Sequence, residues 1–193
     1  MHRIFFWLTV YTALFCFISS SFGAGIEIQL EEQPYSFTVK AKDSGRTVLK
    51  HESTSVKIED DTYRVSGVES LKDMGGVIEA ELDIPKKSRS VNLRIEQISE
   101  NVIKINLVCI GAQNIKERFL DRGEHCYGLW ENPLGQDLDN RGLDREMLGF
   151  DSWAADVEDS KWASARAPFY MTSAGYGIYA ESLAGGQYSV GID

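Results

Sequence analysis

The sequence predicts an all-β chain, an antiparallel sandwich or open barrel built from short strands. Three observations carry that reading. From residue 26 to residue 110 apolar and polar side chains alternate with a period of two, the mark of half-buried antiparallel strands. Turn-forming clusters interrupt the alternation at near-regular spacing. No long stretch in this half carries the 3.6-residue periodicity of an amphipathic helix.

The elements follow in order. Tyr35, Phe37 and Val39 alternate with Ser36, Thr38 and Lys40, and Asp43-Ser-Gly45 ends that run with a turn. Asp60-Asp61 and Met74-Gly-Gly76 mark further turns. Ile78, Ala80, Leu82 and Ile84 then face one side of a strand, with Glu79, Glu81 and Asp83 on the other. Val91, Leu93 and Ile95 repeat the pattern, and Ser99-Glu-Asn101 reads as a hairpin loop into Ile103, Ile105, Leu107 and Cys109. Near the end, residues 169–172 and 176–181 read as a hairpin around Ser173-Ala-Gly175, with a bend or bulge at Gly175 and Gly177. Gly185-Gly186 makes another turn, and a strand over residues 188–192 is cut off at Asp193, so the domain is expected to be incomplete at that end. Residues 132–165 read as a long irregular loop. A turn or two of helix fits within 143–165, although Gly149 and scattered apolar positions weaken it.

Residues 1–23 have the layout of a secretory signal peptide. Arg3 supplies the positive start, residues 4–18 form a mostly apolar run, and Ser21-Phe-Gly23 puts small residues at the cleavage positions. The run falls short of the ~20 apolar residues a spanning helix needs, so no stable membrane span is expected. Export leaves residues 24–193 as one domain with room for a sizeable core. The net charge is −9 over the full chain, and losing Arg3 makes it more acidic. Such a balance argues against nucleic acid and anionic membranes as partners and says nothing against a neutral glycan. Outside the leader the cysteines are Cys109 and Cys126. Export permits a disulfide, while their strand-like settings suit two buried thiols equally.

The chemistry concentrates in the last third. Trp130, Trp153 and Trp162 lie there with Asp137, Asp139, Asp144, Asp151, Asp156 and Asp159. Tryptophan offers a flat apolar face, and carboxylates accept hydroxyl hydrogen bonds. Together they suit a sugar, with its apolar C–H faces and hydroxyl rim. Asp137-Leu-Asp-Asn-Arg-Gly142 begins like a calcium loop, but Arg141 and Leu148 fall where ligands are needed. His125 neighbours Glu124, yet adjacent strand residues point to opposite faces and would not converge on one substrate. His51 sits in a polar run and reads as solvated. No Ser-His-Asp set, phosphate-cradling loop or metal cluster is evident, so neither cofactor nor metal is expected.

Three ordered blocks carry a resemblance. Cys126-Tyr-Gly-Leu-Trp-Glu131, Asp139-Asn-Arg-Gly142 and Ala167-Pro-Phe-Tyr-Met-Thr-Ser-Ala-Gly-Tyr-Gly-Ile178 resemble the N-terminal β-sandwich of family-31 glycoside hydrolases. The resemblance implies a galactose mutarotase-like supersandwich followed by a (β/α)8 barrel. It also implies retaining hydrolysis of α-glucosides, α-xylosides or related α-glycosides by paired carboxylates. In the family both carboxylates lie on barrel strands, so no catalytic residue is expected in this chain. In many relatives a Trp-Asn-Arg-Asp segment reaches over the pocket. Trp153-Ala-Ala-Asp156 falls in that place, with Ala154 and Ala155 replacing the polar pair. Trp130 replaces the second glycine of the family's Gly-Leu-Gly-Glu, and both departures leave the preferred sugar open.

The candidate substrate-binding residues are therefore Asp156, Trp153, Asp139 and Arg141. Asp156 is a sugar contact or a solvated acid, Trp153 a packing anchor sooner than a stacking platform. Arg141 with Asp139 orients the loop by an ion pair or touches substrate, the structural role being favoured. The expected function is that of an N-terminal domain lending the 132–165 loop to a pocket completed by a barrel. The alternatives are a free-standing carbohydrate-binding module and a plain structural domain.

Overall fold

The computed structural model describes the backbone of residues 9–18, 25–130, 143–147, 166–181 and 186–190, and side chains over 25–128 and 169–180. Among the described residues every regular element is a strand, and every pairing is antiparallel. In chain order they are β1 (Thr9–Ile18), β2 (Ile26–Glu32), β3 (Tyr35–Ala41), β4 (Thr47–Ile58), β5 (Asp61–Arg64), β6 (Val68–Asp73), β7 (Val77–Asp83) and β8 (Ser90–Ser99). There follow β9 (Val102–Ile110), β10 (Asn114–Phe119), β11 (Cys126–Trp130), β12 (Leu143–Met147), β13 (Arg166–Thr172), β14 (Tyr176–Glu181) and β15 (Gly186–Val190).

The strands form three sheets. An eight-stranded sheet runs β11-β13-β14-β1-β9-β8-β7-β6, a second runs β10-β4-β3-β2 with β5 also on β4, and β12 pairs with β15. The alternation read from the sequence sets the register of the large sheet. Ile95 lies opposite Ile105 and Leu93 opposite Leu107, all four at most 2% exposed. Outward-facing Glu96 meets Lys104 in the same ladder. Burying such aliphatic side chains contributes about 1.5–3 kcal/mol each. Both larger sheets feed one apolar cluster. Phe37, Val39, Leu49, Val56 and Ile58 come from β3 and β4, and Leu82, Leu93, Ile105 and Ile178 from the large sheet.

The turns fall where the punctuation predicts, at residues 42–46, 59–60, 74–76, 100–101 and 173–175. Other details differ from the sequence reading. Leu143–Met147 is a strand, not helix, because it has a ladder partner in β15. No bulge occurs at Gly177, since β13 and β14 pair in continuous register. The glycine instead allows close approach, as a Cβ there would lie 3.0 Å from the Phe169 ring. Cys109 and Cys126 are both buried, with no disulfide between them.

Residues 9–18, read as the apolar core of a leader, run as β1 between β9 and β14. Val10 pairs with Cys109 and Phe17 with Val102, while Ala13 pairs with Glu181 and Ile18 with Tyr176. A short continuous apolar run suits an inner strand as well as a leader.

Candidate functional site

The first and third blocks of the family resemblance are neighbours. β11 pairs with β13, setting Cys126 opposite Thr172, Tyr127 opposite Met171 and Gly128 opposite Tyr170. Gly128 has φ +112°, and a Cβ there would lie 2.6 Å from the Phe169 carbonyl oxygen and 3.0 Å from Tyr170 Cα. Only glycine fits so close an approach at that backbone angle. Beyond Gly128 the register shifts, and Trp130 pairs with Arg166. Pro168 lies in the shifted stretch and has no N–H to give the ladder.

This frame is tied down on several sides. The Ser173 N–H donates to the His125 carbonyl at 2.9 Å, and the His125 N–H donates to Ser173 Oγ at 3.1 Å. Thr172 Oγ1 donates to the Tyr176 carbonyl at 3.3 Å across the hairpin. Arg46, from the turn between β3 and β4, donates to the Ala174 carbonyl at 3.4 Å. Arg122 donates to the Thr47 carbonyl at 3.1 Å. The β3–β4 turn of the five-stranded sheet is thereby linked to the β13–β14 turn and to the segment leading into β11.

The pairing of Trp130 with Arg166 means that residues 131–165 leave and re-enter the sheet at one point. Within that excursion β12 is held by β15, from Leu143 opposite Val190 to Met147 opposite Gly186. Trp153, Asp156, Asp139 and Arg141 all belong to the excursion and lie outside the described residues. So do residues 1–8 and 19–23 of the leader and the end of the expected last strand at 191–192.

Sequence reasoning missed a second grouping, a polar nest inside the five-stranded sheet. His51 is fully buried and not solvated. Lys50 and Glu52 are the outward residues on either side of it, and their polarity masks its inward direction. Two irregularities in β4 build the nest. Opposite β3 the register shifts so that Val48 is the extra residue, and opposite β10 it shifts so that Glu52 is the extra one. His51 and Thr54, three apart, would face opposite ways on a regular strand. The bulge at Glu52 turns both inward.

His51 Nε2 lies 3.0 Å from Glu117 Oε2 and 3.2 Å from Thr54 Oγ1. A carboxylate only accepts, so Nε2 carries the proton shared with Glu117. The imidazole stacks on Phe37, with centroids 4.8 Å apart and planes 8° off parallel. Tyr35 tilts against it at 5.0 Å, and Phe119 meets it edge-on at 5.9 Å. His51 Nδ1, Glu117 Oε1 and Tyr35 Oη are buried without a hydrogen-bond partner. Burial pushes the Tyr35 phenol well above the ordinary tyrosine range, and the Glu117 carboxylate adds to the effect. Burial also raises the Cys109 thiol despite nearby Arg89, which makes it a poor nucleophile.

The only sequence signal for the nest was the broken phase of β4, with apolar Val48 and Leu49 adjacent and then Val56 and Ile58. Among the described residues no group of three His, Cys, Asp or Glu side chains is placed to hold a metal ion. Comparison with protein-family models, with curated proteins and with solved structures finds no match to this chain.

Proposed function

We propose that the chain is the N-terminal carbohydrate-binding and structural domain of a family-31-like retaining α-glycosidase. In this reading the two large sheets form a galactose mutarotase-like sandwich, and residues 1–23 direct export. Residues 131–165 reach over a sugar pocket whose paired carboxylates sit in a downstream barrel. Asp156 then accepts hydrogen bonds from sugar hydroxyls, Trp153 anchors the loop, and the Asp139–Arg141 pair orients it.

The observation that carries the reading is the β11–β13 pair. Two motif blocks some forty residues apart in sequence lie side by side, and Gly128 of the first block meets the backbone of the third at a distance no other residue tolerates. The pairing also gives the intervening segment one fixed base, as a pocket-rim loop needs.

The test uses purified chain with an aryl α-glucoside and with a series of α-linked oligosaccharides, binding being followed by tryptophan fluorescence. No turnover is expected, and at most weak binding, because the pocket is completed elsewhere. Measurable hydrolysis by this chain alone would sink the proposal. Tight, saturable binding without hydrolysis would favour the free-standing module instead.

A further inference from the structure

We propose that the recess over the β4 bulge is a binding site for a small polyhydroxylated monoanion, a sugar acid of the uronate type. It lies on the five-stranded sheet, has no lining residue from β11 or β13, and does not depend on the glycosidase reading.

The recess has a volume of about 370 Å³ and is open to solvent, within the roughly 300–1,000 Å³ of small-molecule sites. Lys50, Arg64 and Arg118 contribute its cations, and Glu31 and Glu52 its carboxylates. In a chain of net charge −9 this local surplus of positive charge is unusual. Lys50, Arg64 and Arg118 enter no ion pair among the described residues. Arg64 uses one nitrogen on the Glu52 carbonyl, at 3.3 Å. Glu31 Oε2 accepts from Ser36 Oγ at 2.9 Å, which fixes that carboxylate at the wall.

The second observation is His51. It is fully buried, yet it forms part of the recess wall. Its Nε2 edge is held by Glu117 and Thr54, which leaves Nδ1 as the ring's free polar atom, without a partner. A buried polar atom without a partner is costly unless something satisfies it. The bulge serves the same recess, because it lets Glu52 and Ser53 both line it when strict alternation would send one of them away.

The lining selects the ligand class. Among the side chains that line the recess three cations face two carboxylates, Glu117 lying behind the wall and engaged by His51, and one ligand carboxylate can be taken up by the Arg118 fork. Glu31 and Glu52 accept hydrogen bonds from hydroxyls, and the Ser53 hydroxyl can donate one. A neutral sugar leaves the cations unmatched. Phosphate brings more negative charge against both carboxylates and has no array of hydroxyl donors for them. No Trp, Tyr or Phe lines the recess, so recognition rests on polar groups and not on ring stacking.

Calorimetric or NMR titration of the full chain with D-glucuronate, D-glucose and inorganic phosphate at low ionic strength tests this. Glucuronate should bind saturably at one site, at least about tenfold tighter than either competitor, and weaken as salt is added. Arg118→Ala should weaken it about tenfold, the loss expected for a charge-assisted pair, without moving the melting temperature. Lys50→Ala, at an exposed position, repeats the test should the arginine variant fold poorly. Asp156→Ala should leave the affinity unchanged, which separates this recess from the proposed pocket rim. No saturable glucuronate binding, equal binding of glucose or phosphate, or indifference to both cation substitutions would overturn the proposal.

Discussion

Breaking the His51–Glu117 pair is expected to cost far more than replacing it. His51 is 0% exposed and Glu117 11% at the side chain, with 3.0 Å between Nε2 and Oε2. Removing one partner of a fully buried pair costs about 3–5 kcal/mol because the other is left uncompensated. Glu117 keeps some contact with water, and Thr54 shares the imidazole N–H. Both lower the figure, to about 2–3 kcal/mol for Glu117→Leu and about 2 kcal/mol for His51→Phe. Phenylalanine keeps the stack on Phe37, so the second value reports the stranded carboxylate and not a lost ring. The double variant places two apolar side chains among Tyr35, Phe37 and Phe119, and should fall within about 1–2 kcal/mol of the parent. The coupling energy is then about 3 kcal/mol. Urea unfolding at pH 7, followed by tryptophan fluorescence at matched m-values, measures it. Additive losses, with the double variant carrying the full sum, would refute the argument and make the pair incidental to the sheet.

Two other outcomes follow from the same geometry. Gly128→Ala should destabilise by about 3 kcal/mol or more, combining positive-φ strain with overlap against Phe169. Hydrogen exchange should quicken first along β11, and a loss below about 1 kcal/mol would show that the β11–β13 contact can relax. At alkaline pH the sign is set by Tyr35, whose folded-state value is raised well above the ordinary tyrosine value of 10.0. Its contribution is fully present below about pH 10 and is lost as the pH rises beyond it, because the unfolded phenol ionises first. Cys109, raised from its ordinary 9.0, acts in the same direction from a lower pH. Urea midpoints at pH 8 and pH 11 should therefore diverge, and Tyr35→Phe should shrink the difference. A midpoint unmoved by pH would count against the burial of both groups.

Much of the fold was legible because β3, β7, β8 and β9 each bury one apolar face and carry polar, mostly half-buried residues on the other, so a period of two is written directly into their residues. The turns were legible because glycine, asparagine and aspartate hold local conformations that few other residues adopt. β4 was not, since its two bulges reverse the phase twice. A bulge is a property of two strands in register, and one strand's sequence does not contain its partner. β6 and β10 escaped for another reason. Both are edge strands, mostly exposed or half-exposed, and carry little apolar pattern to read. His51 was misread because the polarity of a run averages two faces that the chain treats separately. For the proposed pocket rim the sequence supplied motif order and spacing, and the structure added which blocks share a ladder.

The position of Thr9–Ile18 makes the integrity of the large sheet a question of proteolysis. β9 and β14 each run opposite to that segment, so they run parallel to one another, about two strand spacings, or roughly 9.5 Å, apart. They cannot bond to each other without moving together. Only if cleavage after Gly23 is followed by release of Thr9–Ile18 from both ladders do the two halves of the sheet part, and they must then close the gap or admit another extended segment running the same way as the one removed.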